Sequence, residues 1–231
     1  MIRFIGELGK ISMTKATRAP RNLIGLWSAV EVVGWFYIAV TIATVFALLI
    51  MAFANETAVT IAAMAAAILS ELFAFLYLLG AILTLTWYYW STRNLHAMNL
   101  KVGSSPLWAV LWFFIPFLSL WKPYGVTADL WAASTQPDTW RKTREPIFLR
   151  WWWGLFLAGS ILSNIANAIL QVASPGSLFS GLVILIPGTA CLAASGVIFL
   201  RMGRIISLRQ RDLVRSNYRR APAENTPSWA D

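Results

Sequence analysis

The stretch SSPLWAVLWFFIPFLSLWKPYGVTADLW, residues 104–131, decides how this chain is placed in a membrane. Its centre is apolar, but only about sixteen residues run from Pro106 to Trp121, whereas a helix that crosses a bilayer needs about 20. Pro116 and Pro123 interrupt it, and a proline inside a helix removes a backbone donor and clashes with the preceding turn. Two topologies follow: a short crossing, or an element that enters the membrane and turns back.

The composition is that of an integral membrane protein. Hydrophobic residues make up 58% of the chain and charged residues 13%, against roughly 45–50% and about 25% in soluble domains. A single cysteine, Cys191, excludes an internal disulfide framework and a cysteine-based metal site. A single histidine, His96, removes most catalytic triads, and no phosphate loop, HExxH or GxSxG motif is present. We therefore expect no cofactor, no metal and no catalytic residue.

Four apolar runs are long enough to cross a bilayer, and they divide the chain. They lie at about 27–53, 59–90, 148–173 and 179–200. We predict one membrane domain over 27–200, with a hairpin at about 105–134 between the second and third spans. Residues 1–26 are predicted to form an amphipathic cytoplasmic segment, and residues 201–231 a basic cytoplasmic tail.

The basic residues decide between the two topologies. All 19 Lys and Arg lie in segments 1–26, 91–105, 122–150 and 201–231, and the two short connections near 54–58 and 174–177 carry none. A crossing at 106–121 would place seven of them inside and twelve outside, whereas a stretch that turns back places all 19 inside. Because Lys and Arg concentrate in cytoplasmic loops, the second topology is favoured, with both termini in the cytoplasm.

The opening stretch is therefore predicted to be a re-entrant or in-plane helical hairpin on the cytoplasmic side. Ser105 can cap a helix that has Pro106 at its first position, and the helix breaks at Pro116. A second helix can begin at Pro123 with its apolar face toward the bundle. The predicted fold class is an all-α integral membrane protein with four transmembrane helices plus this central proline-broken hairpin.

Two carboxyl groups lie where they are energetically expensive. Glu31 lies about a turn inside the first span, and Glu71 lies well inside the second, beside Ser70. A charged side chain at membrane depth costs several kcal/mol unless it is neutralised or paired, roughly 2.5–3.5 on insertion scales. Glu71 is therefore the strongest single candidate for a functional residue, and the structural alternative is a neutral carboxyl bonded to another helix.

Polar residues also follow one side of the fourth span at helical spacing. Ser160, Asn164, Asn167 and Gln171 share one face, which we predict to point into the bundle. These side chains either hydrogen-bond across helices or line a polar path.

Tryptophans cluster near the predicted inner interface, where they are expected to anchor the protein; an aromatic ligand site is the alternative. The cluster includes Trp27, Trp87, Trp90, Trp108, Trp112, Trp121, Trp131, Trp140 and Trp151–Trp153. Together with the basic segments they predict contact with the bilayer and with anionic lipids of the inner leaflet. Nucleic-acid binding is not expected, because the membrane topology already accounts for the +9 charge.

Three motifs resemble a bacterial family of multi-span membrane proteins, the domain of unknown function 4328. The first is WSTRNLHAM with Arg93, Asn94 and Leu95, in which the adjacent Arg and Asn depart from the family spacing. SPLWAVLWFFIP matches at Ser105, Pro106, Ala109, Val110, Phe114, Ile115 and Pro116. LWKPYGVTADLWAAS matches at Trp121, Lys122, Pro123, Tyr124, Leu130, Trp131 and Ser134. The resemblance covers about residues 30–210, implies the bacterial inner membrane and supplies no activity.

The sequence predicts a non-enzymatic accessory, scaffold or sensory membrane subunit. The alternative is a small transporter or channel with a polar path lined by Glu71, Asn164 and Asn167, and a lipid-acting intramembrane enzyme is less favoured. A membrane protein partner and a second copy of the chain are the protein partners considered.

Overall fold

The computed structural model describes residues 20–53, 55–100, 102–172 and 176–224, with side chains described as far as residue 216. No described residue forms a β-strand, and six α-helices account for most of the chain. They are α1 Ile24–Phe53, α2 Glu56–Ala97, α3 Pro106–Leu111, α4 Lys122–Thr135, α5 Ile147–Leu170 and α6 Ser177–Glu224. Two short 3-10 helices lie at Leu118–Leu120 and Trp140–Lys142.

Helices α1, α2, α5 and α6 are long and apolar enough to cross a membrane, which confirms the predicted all-α fold with four spanning helices. Helix α2 is longer than its apolar run: its 42 residues extend about 63 Å, against about 30 Å of hydrocarbon. It begins where the Asn55 side chain accepts a hydrogen bond from the Ala58 backbone N–H at 3.0 Å. This N-cap replaces one of the carbonyl partners that the first turn lacks.

The four long helices pack in the order α2, α1, α6, α5, each antiparallel to its neighbour. Small residues allow the close approaches. A Cβ added to Gly159 on α5 would come within 2.8 Å of the Gly188 carbonyl oxygen on α6. A Cβ on Gly34 of α1 would come within 2.9 Å of Leu200 on α6. Because close backbone contact drives helix association in lipid, these glycines fix which faces meet.

Residues 102–135, which include α3 and α4 and which we call the platform, pack against one end of this four-helix row. Most of the buried core lies at that platform end, where α1, α2, α4 and α6 meet. Trp27 and Trp87 have ring centroids 4.7 Å apart, and Tyr88, Leu130 and Ile206 are at most 1% exposed. The opposite end, with the short connections between α1 and α2 and between α5 and α6, we call the short-loop end.

The first part of the platform follows the predicted capping and breaks where proline requires. The Ser105 side chain caps α3 by accepting from the Trp108 backbone N–H at 3.4 Å, and Pro106 is the first helical residue. Helix α3 has only six residues, about 9 Å of helix, and turns follow it. After Pro116 the backbone of Phe117 takes φ 64°, a left-handed conformation that is uncommon outside glycine and that reverses the chain. That this element enters the bilayer stays a prediction.

Helix α6 continues well past its apolar run. The segment predicted as a basic cytoplasmic tail starts inside the core, because Met202, Ile206 and Gln210 are at most 2% exposed. They recur every four residues and therefore share one face, while Arg201, Arg204 and Arg209 are exposed. The predicted amphipathic helix at the start of the chain lies almost wholly outside the described residues.

Candidate functional site

A junction of buried polar side chains lies at the platform end. Asn94 of α2 is 1% exposed, and its amide brackets the backbone of Arg21 just before α1. Its Oδ1 accepts from the Arg21 N–H at 2.8 Å, and its Nδ2 donates to the Arg21 carbonyl at 2.8 Å. The side chain therefore satisfies both backbone groups of a residue that no helix pairs, and it ties the start of α1 to α2.

Gln210 of α6 completes this junction and joins it to the platform. It is 1% exposed, and its Oε1 accepts from Asn94 Nδ2 at 3.3 Å. Its Nε2 donates to the Ser91 carbonyl at 3.3 Å and to Ser134 Oγ of α4 at 3.2 Å. One amide thus connects α2, α4 and α6. We call Asn94, Gln210, Ser91, Ser134 and the Arg21 backbone the polar junction.

Two further buried bonds hold α2 to its neighbours. Trp87 Nε1 donates to Ser207 Oγ of α6 at 2.9 Å. Tyr88 lies 2.6 Å from Thr127 Oγ1 of α4, and Thr127 itself donates to the Pro123 carbonyl at 2.8 Å. Because the threonine has one O–H, the tyrosine is the donor in the first bond. Trp153 Nε1 of α5 donates to the Leu120 carbonyl at 2.7 Å, so the platform is held on both sides.

Cations stack on aromatic rings around the rim of the platform end. The guanidinium groups of Arg21 and Arg93 lie 3.9 and 4.7 Å from the ring centroid of Trp90. Lys122 Nζ lies 5.1 Å from the ring of Trp112. These distances are within cation–π range. Both the arginine and the asparagine of the RNL motif therefore act at this end, Arg93 on the rim and Asn94 in the junction.

Acidic and phenolic groups meet between α4 and the start of α5. The Asp129 carboxylate accepts from the Gly103 N–H at 3.0 Å, and Tyr124 donates to the carboxylate of Glu145. Burial raises the pKa of Asp129, with Glu145 adding to the rise and the Gly103 N–H opposing it. Partial burial also raises the pKa of Tyr124, as does its bond to Glu145. These bonds connect α4 to the chain before α3 and to the chain before α5.

The predicted site residue Glu31 lies beside a small cleft at the platform end. Its carboxylate is 3.4 Å from the guanidinium of Arg204 on α6, and the cleft has a volume of about 50 Å³. Trp27 also lines the cleft. Its buried Nε1 has no hydrogen-bond partner among the described residues. The space is large enough for a bridging water but not for a substrate of any size.

The other predicted polar residues lie elsewhere. Glu71 is exposed on α2, and Asn164, Asn167 and Gln171 are exposed at the outer side of α5. The prediction that the stripe on the fourth span points into the bundle is therefore wrong for this chain. The physical reason is packing: Gly159 and Ala166 provide the flat face that meets Gly188 and Gly181 of α6, which leaves the asparagines outside.

Helices α2 and α5 are also the two outer members of the four-helix row, so one chain does not bring Glu71 together with Asn164 and Asn167. The tryptophans divide as well. Trp27, Trp87, Trp152 and Trp153 are at most 9% exposed and belong to the core, whereas Trp108, Trp121 and Trp151 are exposed, as expected of membrane anchors.

The hairpin motif supplies the framework of the platform. Ser105 and Pro106 start α3, Pro116 precedes the reversal, and Pro123 is buried in the first turn of α4. Trp121 is exposed, Lys122 stacks on Trp112, and Tyr124 bonds Glu145. Gln210, Tyr88, Thr127 and Asp129 were not predicted from the sequence. The spacing of Met202, Ile206 and Gln210 was the available signal for the first of them.

The donors and acceptors of the Asn94 and Gln210 amides bond to one another, to the backbone and to Ser134 Oγ. These two amides therefore present little to a ligand. Among the described residues no group of three His, Cys, Asp or Glu is placed to hold a metal ion.

No curated protein and no solved structure is detectably similar to this chain. A family model does match it, over residues 52–207, from the last two residues of α1 to the buried part of α6. That range contains the platform and most of the polar junction and covers more than half of the chain. The protein therefore belongs to the family of the domain of unknown function DUF4328.

Proposed function

We propose that this membrane protein is a non-enzymatic scaffold subunit of the bacterial inner membrane, with its platform on the cytoplasmic side. The observation that carries the proposal is the polar junction. Asn94 and Gln210 are 1% exposed and bond to α2, α4 and the chain before α1. Buried amides that are fully used in this way fix a shape, which suits a surface that holds a partner.

The exposed side of the platform supports this use. Trp108, Phe114, Phe117, Leu120 and Trp121 are between 44% and 77% exposed, an unusually apolar surface for a short irregular segment. Such a patch marks a contact with lipid or with another protein. Arg21, Arg93 and Lys122 stand on aromatic rings at the same end. They would meet anionic headgroups of the inner leaflet, at about 1 kcal/mol for each basic residue.

The distribution of charge supports the orientation. The platform end carries the basic segments 91–105, 122–150 and 201–215, whereas the short connections at the other end carry no Lys or Arg. Because basic residues are enriched in cytoplasmic loops, this distribution favours a cytoplasmic platform.

Site-specific photo-crosslinking in cells tests the proposal. Benzoyl-phenylalanine at Phe117, 77% exposed on the platform, should yield a discrete larger product that contains one other protein. The same probe at Phe179, 59% exposed near the short-loop end of α6, is the matched control and should yield none. Peptide sequencing of the product separates a partner from a second copy of this chain.

A product that forms equally from Phe117 and Phe179 would contradict the proposal, as would its absence from both. Selective solute flux through the purified protein in liposomes would also contradict it and would favour the transporter alternative.

A further inference from the structure

Glu71 is a carboxyl group on an uncovered part of a spanning helix. It lies about 24 Å along the α2 axis from both Asn55 and Trp87, at 1.5 Å per residue, and so falls within the hydrocarbon region. Over residues 63–75 of α2, which flank Glu71 on both sides, no residue is buried inside the chain. Leu72, Phe75 and Leu78 beside it are 41%, 62% and 61% exposed. Among the described residues, none donates to its carboxylate or pairs with it.

A carboxyl group facing lipid needs a hydrogen-bonding partner, because hydrocarbon offers none. The chain's own cations cannot supply one, since every Lys and Arg lies in the segments 1–26, 91–105, 122–150 and 201–231. The partner must therefore come from another molecule at the same depth.

Glu71 lies at the edge of a face of α2 that is shaped for a close helix contact. Small side chains occupy one exposed side of α2, whereas large ones occupy the side next to it. The small exposed residues are Thr60, Ala63, Ala67, Ser70 and Ala74. The large ones include Ile61, Ile68 and Phe75, between 62% and 70% exposed. The pairs Ala63 with Ala67 and Ser70 with Ala74 are four residues apart, a spacing of small residues that lets two helix backbones approach closely in a membrane.

We propose that this face of α2 binds the same face of a second copy, which pairs the two Glu71 side chains across a two-fold axis. In a contact of this symmetry each residue near the axis meets its own copy, so Glu71 finds a polar group at its own depth without any further requirement. A carboxyl group can complement itself, because its protonated form donates and its oxygens accept. Ser70 Oγ already donates to the Ala67 carbonyl at 2.7 Å, and its lone pairs remain as acceptors beside the pair.

The amides on α5 of a second copy fit Glu71 less well. Asn164 and Asn167 lie about 9 and 5 Å from the end of α5, whereas Glu71 lies about 22 Å from the start of α2 at the same side of the membrane. Asn164 Nδ2 also donates to its own helix at Ser160 O, 2.8 Å away. This difference in depth favours contact of α2 with α2 of the second copy over contact of α2 with α5.

Counting fluorophore bleaching steps of the full chain in liposomes, over a range of protein-to-lipid ratios, tests this pairing. Wild type should form dimers. Ala67→Trp should weaken the association constant by about tenfold or more, because it fills the contact face. Ile68→Trp, which adds similar bulk at the same depth on the neighbouring side, is the matched control and should stay within about twofold. Glu71→Gln should keep the dimer, and Glu71→Leu should weaken it by about tenfold.

Crosslinking identifies the surfaces in contact and is independent of whether a variant changes stability. With Cys191→Ser as background, a single cysteine at Ala67 should give an oxidised dimer between two differently tagged copies, and one at Ile68 should give far less. A monomeric wild type at every density would overturn the proposal. Equal losses of the association constant in Ala67→Trp and Ile68→Trp would also overturn it. So would a stronger crosslink between cysteines at Ala67 and Ser160 of two copies than between two cysteines at Ala67. None of these outcomes bears on the platform as a partner surface.

Discussion

Polar side chains are buried and bonded within the chain at one end of the helix row, whereas toward the other end they are exposed. At the platform end Asn94 and Gln210 are 1% exposed and bonded within the chain. Toward the short-loop end Glu71, Asn164 and Asn167 face outward. The buried core follows the same division, because Trp27, Trp87, Tyr88 and Ile206 all lie at the platform end.

This contrast separates two roles for polar residues in lipid. A buried and satisfied amide fixes the fold, and its loss leaves partners unpaired. An outward-facing carboxyl group contributes little to the stability of the single chain and needs a hydrogen-bonding partner from another molecule. Substitutions at the two ends should therefore differ in their effect on the free energy of unfolding.

Loss of a core tryptophan should have the largest effect. Trp87→Ala removes a fully buried ring and its bond to Ser207, and should lower the free energy of unfolding by about 3–5 kcal/mol. Phe179→Ala near the opposite end, 59% exposed, should change it by less than about 0.5 kcal/mol. Reversible unfolding in mixed micelles measures both. Equal losses would contradict a core concentrated at the platform end.

Breaking the polar junction should come next. Asn94→Leu leaves the backbone N–H and carbonyl of Arg21 and the Oε1 of Gln210 without their partner. Each orphaned buried group costs about 1–3 kcal/mol, so a loss of about 2–4 kcal/mol is expected. Asn164→Leu at an exposed position should be neutral or stabilising in the same assay. An Asn94→Leu variant as stable as wild type would show that the junction does not hold the platform.

Asp129→Asn should change the pH dependence of stability. Burial raises the pKa of Asp129 above its ordinary 3.8 in the folded protein, so the folded state binds the proton more tightly. The contribution of protonated Asp129 to the free energy of unfolding is therefore lost as the pH rises from 3.8 through the raised pKa. The variant, whose amide oxygen can still accept from Gly103, should be more stable than wild type at neutral pH, with the gain shrinking in acid. Melting curves between acidic and neutral pH measure the difference. A variant less stable than wild type at neutral pH would contradict this.

The ion pair of Glu31 and Arg204 should matter least. The arginine side chain is 65% exposed, and solvent-exposed pairs contribute about 0–1 kcal/mol. Glu31→Gln should thus lower the free energy of unfolding by less than about 1 kcal/mol, measured with Arg204→Gln in a double-mutant cycle. A coupling well above that value would mark the cleft beside Trp27 as structurally important.

The sequence was sufficient for the elements whose signal is local. Run length predicts the four spanning helices, and Ser105 with Pro106 predicts the start of α3. Helix faces were harder, because the spans are apolar on all sides and no amphipathic pattern marks the contact. Gly159, Gly188 and Gly203 decide those contacts by close approach. The asparagine stripe on α5 was misplaced for this reason, and Gln210 was missed because its arginine neighbours made the segment resemble a solvated tail.

The cytoplasmic location of the platform end can be tested directly by thiol labelling. Single cysteines at Thr57, Thr139 and Ser216, all exposed, are introduced into the Cys191→Ser background. Intact cells are then treated with a membrane-impermeant thiol reagent. We expect only Thr57→Cys to react in intact cells, and all three cysteines to react after lysis. Labelling of Thr139→Cys and Ser216→Cys in intact cells would show that residues 106–121 cross the membrane and would contradict a cytoplasmic platform.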